Sequence, residues 1–166
     1  MIANWMKSIG LSRAAVVGHS MGGFIAAALA VNHPQLVSKL ALVSAAIFPP
    51  GRAHLWPRKL LRWMVNFPPD LVPVVFRDAW WITPAELWRA AHDIFAADLF
   101  PKLSQIKSRT LIVWGDEDGL LPSDIGHELQ AAIKGADLCV FDNVGHCPMW
   151  EAPEQFNSKV EHFLSD

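Results

Sequence analysis

Three short stretches of this chain carry side chains able to attack a carbonyl and move protons. They are Val16-Val17-Gly18-His19-Ser20-Met21-Gly22-Gly23, Trp114-Gly115-Asp116-Glu117-Asp118-Gly119, and Asn143-Val144-Gly145-His146-Cys147-Pro148. A free serine hydroxyl is a weak nucleophile at neutral pH and needs a base beside it. His146 suits that base, taking the Ser20 proton and returning it to a leaving group, while Asp118 or Asp116 suits the acid that fixes the imidazole tautomer. The Gly-x-Ser-x-Gly spacing predicts a tight, strained turn with Ser20 Oγ standing clear of the backbone and no room for side chains at Gly18 and Gly22. Composition alone yields that pattern in about one chain in twenty of this length, so the flanking elements decide between an activated serine and a bystander on a glycine-rich turn.

Those elements are readable. Ala14 to Val17, Leu40 to Val43, Thr110 to Trp114 and Leu138 to Phe141 are short apolar runs of the kind that form buried strands. A helix from Phe24 to Val31, ending before Pro34, would aim its N-terminal amides at Ser20, and the Met21 N–H would serve an oxyanion. A first helix runs from Ile2 to Ile9, apolar at Ile2, Trp5, Met6 and Ile9, and stops at Gly10. Ile125, Leu129, Ala132 and Ile133 mark the buried face of another, and Phe156, Val160, Phe163 and Leu164 that of a last one. Strands joined by helical crossovers predict an α/β fold with a parallel sheet of about four strands. Ser20, the acid and His146 each follow the carboxyl end of a strand and so converge on one edge of the sheet.

On these motifs the chain resembles the C-terminal part of the α/β hydrolase fold superfamily. GHSMGG matches the elbow, VWGDEDGLLP the acid loop and NVGHCPMWEAPEQFN the base loop, with the order Ser, Asp, His. It is similar to the esterase, lactonase and carbon–carbon bond hydrolase branches. The resemblance places the acid four residues before the loop proline, at Asp118, with Asp116 the runner-up. It also implies that four strands should precede the elbow strand and that a His-Gly loop should give the second oxyanion donor. No His-Gly pair occurs here, so the reading is of an N-terminally truncated core whose oxyanion hole is incomplete. The uncharged edge of Ala14 to Val17 then invites a homo-oligomer or a complementing chain.

Residues 48–108 form a long insertion between core segments 1–47 and 109–166, holding eight of the twelve prolines and five of the eight tryptophans. A helix is expected from Pro57 to Asn66, and Thr83-Pro84-Ala85-Glu86 reads as a capping box opening another. Short proline-bounded helices at this point resemble the family's lid. His19, Trp56, Trp63, Trp80, Trp81 and Trp88 are candidate substrate contacts, which suggests an apolar group.

The implied activity is a serine hydrolase cleaving carboxylic esters or related carbonyl compounds through an acyl-enzyme, without a cofactor. The alternatives are a non-catalytic fragment or binding module, and a cofactor-free haloperoxidase or acyltransferase. The 166 residues are 52% hydrophobic with net charge −2, enough for one core and without the basic stripe of a nucleic-acid binder. The longest apolar run, Phe24 to Val31, falls well short of the ~20 residues of a membrane span. A cytoplasmic location is the default expectation. Cys139 and Cys147 lack metal or redox spacing, the other histidines show no ligand pattern, and no metal is assigned.

Overall fold

The computed structural model describes residues 1–51, 72–73, 77 and 83–166. The chain runs α1 (Ile2–Ser8), β1 (Ala14–His19), α2 (Met21–Asn32), a 3₁₀ turn (Pro34–Leu36) and β2 (Val37–Val43). It continues with α3 (Pro84–Ala96), a second 3₁₀ segment (Phe100–Gln105), β3 (Arg109–Gly115), α4 (Ser123–Ala132), β4 (Asp137–Phe141), α5 (Pro148–Glu151) and α6 (Pro153–Ser165). The four strands lie side by side in chain order and every pair is parallel. All four expected strands are present. Each extends one to three residues further because ladder pairing recruits flanking residues with little apolar character, such as His19, Lys39, Arg109 and Asp137.

Alternation along the strands divides the core by sheet face. Leu40, Leu42, Ile112 and Trp114 pack with Ala26, Ala27, Leu29 and Ala30 of α2 and Ile125 and Leu129 of α4. Ala41, Val43, Leu111 and Val113 point the other way, onto Phe156, Val160 and Phe163 of α6. Leu164 departs from expectation. It is 36% exposed, and its backbone carbonyl accepts a bond from Lys39 Nζ at 2.8 Å. In α1 only Met6 is buried, whereas Ile2, Trp5 and, just past the helix end, Ile9 are exposed.

Among the described strands β1 pairs only with β2, and Val17 on it is 46% exposed. In the insertion, α3 opens at the capping box: Thr83 Oγ1 accepts from the Glu86 N–H at 3.2 Å, and Glu86 Oε2 accepts from the Thr83 N–H at 2.8 Å. The Thr83 N–H, and then the Thr83 hydroxyl that also donates to Oε2 at 2.8 Å, hold the Glu86 carboxyl below the usual carboxylate range. The second 3₁₀ segment returns the chain to the core through buried Leu103. The helix expected from Pro57 to Asn66 lies outside the described residues. Among the described residues no helix is long and apolar enough to cross a membrane.

Candidate active site

Ser20 sits between β1 and α2 at φ 53°, ψ −118°, the strained left-handed backbone expected of an elbow. Its backbone is held on both sides: the Ser20 N–H donates to Val43 O at 2.9 Å, and its carbonyl accepts from the N–H groups of Gly23 and Ala46 at 3.0 and 2.9 Å. The glycines divide differently from the expectation. A Cβ at Gly18 would collide with the Gly22 carbonyl, and one at Gly23 would lie 2.6 Å from Ala45 Cβ, yet one at Gly22 meets nothing within 4 Å. Crowding therefore falls on Gly18 and Gly23, because α2 leaves the turn against the loop after β2, while Gly22 faces outward.

The structure brings Ser20, His146 and Asp118 together. His146 Nε2 lies 3.1 Å from Ser20 Oγ, and His146 Nδ1 lies 2.8 Å from Asp118 Oδ2. A carboxylate only accepts, so Nδ1 carries the proton and Nε2 is left to accept the Ser20 proton. Asp118 is 5% exposed, and its other oxygen, Oδ1, accepts the N–H groups of Leu120 and Leu121 at 3.0 and 2.8 Å. Buried Trp114 anchors the same loop, its indole Nε1–H donating to Leu121 O at 2.7 Å. Asp116 is exposed and accepts the Val144 N–H at 3.2 Å, tying the acid loop to the base loop. It makes no such bond to His146.

Two contributors lay outside the sequence reading. Glu151, on α5, accepts the N–H groups of Gly145 and Cys147 at 2.7 and 2.9 Å, gripping the backbone on both sides of His146. The Trp150-Glu151 pair of the base motif was its only trace. Gly115 is the other: a Cβ there would collide with the carbonyls of Val144 and Gly145, so β3 and the base loop meet backbone to backbone. His19 turns its ring to the base loop, Nε2 lying 2.8 Å from the His146 carbonyl. Met21 is the first residue of α2, where N–H groups lack intrahelical acceptors. Trp56, Trp63, Trp80 and Trp81 lie outside the described residues, and Trp88 lies on α3.

Burial, followed by the charges of Glu151 and Asp118, pushes the Cys147 thiol up to about 11. Below that value it stays protonated, and the thiolate is the reactive form. Iodoacetamide at pH 8 is therefore expected to alkylate Cys147 at least about tenfold more slowly in the folded chain than after unfolding, read by peptide mass analysis. Equal rates would contradict the assignment.

The alpha/beta hydrolase family model matches residues 2–159. The chain belongs to that family. As a family member it is 32% identical to a 2-hydroxy-6-oxononadienedioate/2-hydroxy-6-oxononatrienedioate hydrolase of Burkholderia vietnamiensis, over 99% of this chain and 66% of that protein. It is 30% identical to a 2-hydroxy-6-oxo-6-phenylhexa-2,4-dienoate hydrolase of Comamonas testosteroni, over 96% and 65%. This alpha/beta hydrolase thus spans just under two thirds of the length of these relatives. Among solved structures it resembles the enol-lactonase of Burkholderia xenovorans, with TM-score 0.79 and 27% identity over 99% of this chain and 70% of that one.

Proposed function

We propose that this alpha/beta hydrolase cleaves carboxylic esters or related carbonyl compounds bearing an apolar group, through an acyl-enzyme on Ser20. The observation that carries the reading is the hydrogen-bonded run from Ser20 Oγ through His146 to the buried Asp118 carboxylate. His146 takes the proton as Ser20 attacks the carbonyl, Asp118 stabilises the imidazolium, and the Met21 N–H at the start of α2 meets the developing oxyanion. His146 then returns the proton to the leaving group, and water releases the acid by the same steps.

The relatives support a second reading within the same chemistry. Their named substrates carry a ketone and an enol but no ester, so hydrolysis there divides a carbon–carbon bond beside the ketone. Under that reading His146 moves its proton to a carbon leaving group.

Intact-mass analysis after fluorophosphonate treatment tests the proposal. A single adduct is expected on the folded chain and none on Ser20→Ala or a heat-unfolded control. Turnover of p-nitrophenyl esters should also rise from acetate to longer acyl chains. A folded chain that takes no adduct would overturn the proposal in favour of a non-catalytic module.

A further inference from the structure

We infer that His19 is a positioning residue: its Nε2–H bond to the His146 backbone carbonyl sets the reach of the His146 ring to Ser20. The inference rests on the serine-hydrolase reading of the site.

A carbonyl oxygen can only accept, so His19 Nε2 is the donor in the 2.8 Å contact. The donor side is rigid. His19 is the last residue of β1, in register with Val43, and it adjoins Ser20, whose N–H and carbonyl are both held. The acceptor side is a loop rather than a strand or helix, and Glu151 grips it through Gly145 and Cys147 from the direction of α5. His19 holds it from the elbow. The two ring centroids lie 4.9 Å apart with a 50° tilt, so the His19 ring also stands beside the imidazole it steadies. Burial, and then the neighbouring His146, lower the His19 pKa, while its bond to the His146 carbonyl and Asp118 act the other way. The ring is thus neutral near pH 7, adding no charge next to an imidazole that must itself become positive.

Ser20 Oγ and His146 Nε2 are 3.1 Å apart, at the long end of hydrogen-bond reach, so a small drift of the loop would break the contact. Misplacement by about 1 Å can cost about 100-fold in rate.

The test compares His19→Phe, which keeps a ring and loses the donor, with His19→Gln, whose amide nitrogen reaches about as far as Nε2. Three readouts are taken: kcat and KM for p-nitrophenyl butyrate, the fluorophosphonate labelling rate, and amide exchange at Gly145 and Cys147. His19→Phe is expected to lower kcat and labelling by about 10- to 100-fold with KM within about threefold, and to speed that exchange by about tenfold. His19→Gln should stay within about threefold of the parent throughout. Should His19→Phe fail to fold, His19→Asn, whose amide is too short to reach, takes its place.

An unchanged kcat in His19→Phe, or equal damage in His19→Gln, would overturn the inference. So would a raised KM at constant kcat, which would make His19 a substrate contact. If the parent chain neither hydrolyses nor labels, the serine-hydrolase reading fails by itself. Exchange at Gly145 and Cys147 then decides the role of His19: faster exchange in His19→Phe alone upholds it, and no change removes it.

Discussion

Asp118→Asn is expected to lower ester turnover and fluorophosphonate labelling by about 10⁴-fold, the scale seen when a triad aspartate becomes an amide. Asp118 Oδ1 is engaged by two backbone N–H groups, so the amide oxygen of an asparagine would stay there and its NH₂ would take the place of Oδ2. That NH₂ would face His146 Nδ1, 2.8 Å away in the parent chain, and would require Nδ1 to accept. The imidazole proton would move to Nε2, and Ser20 would lose its base. Asp116→Asn keeps an oxygen for the Val144 N–H and touches no part of this run, so both rates should stay within about threefold. Steady-state kinetics and labelling rates on the two variants read the difference. Equal losses would overturn the assignment of the acid.

The largest effect on stability is expected at Gly18. A Cβ there would lie 2.7 Å from the Gly22 carbonyl carbon and 2.9 Å from Ala26 Cβ, besides colliding with the Gly22 oxygen. These atoms belong to α2, which is packed on the sheet and cannot retreat without uncovering buried Ala26, Ala27 and Ala30. Gly18→Ala should therefore cost about 3 kcal/mol or more, a fall of about 6–12 °C in Tm, or leave the chain unfolded. Gly22→Ala adds a methyl in open space at the start of a helix, where alanine is the better helix former. Its Tm should be unchanged or higher by up to about 4 °C. Thermal unfolding followed by circular dichroism compares the two, and equal losses would contradict the division of roles between the glycines.

The contrast between Gly18 and Gly22 shows what sequence can and cannot carry. The Gly-x-Ser-x-Gly spacing reveals that a turn must be tight, because backbone strain is local to the residues that bear it. Which glycine is crowded depends on how α2 lies on the sheet: Gly18 meets the Gly22 carbonyl and Ala26 of α2, and Gly23 meets Ala45, more than twenty positions away. Strands were legible for a similar reason: runs such as Leu111 to Trp114 are apolar on both sides, as a strand covered on both faces must be. Asp118 could be told from Asp116 only by family resemblance, since both follow β3 and nothing local says which carboxylate turns inward. Its selection in the structure comes from the N–H groups of Leu120 and Leu121 and from the Trp114 indole. Glu151 stayed obscure, and His19 read as a substrate contact, because each bonds backbone atoms and a backbone partner leaves no signature of residue type.

The Ser20–His146 contact joins residues 126 positions apart, across a sheet whose strands lie in chain order. Drawing such distant residues together carries a loop-closure entropy that local helices avoid, and long-range parallel pairing forms slowly. During refolding, α2 and α6 can form early, and the reactive geometry cannot exist until β1 and the loop after β4 are both docked. Recovery of serine reactivity would thus trail recovery of helical signal, making Ser20 a clock for the last stage of assembly.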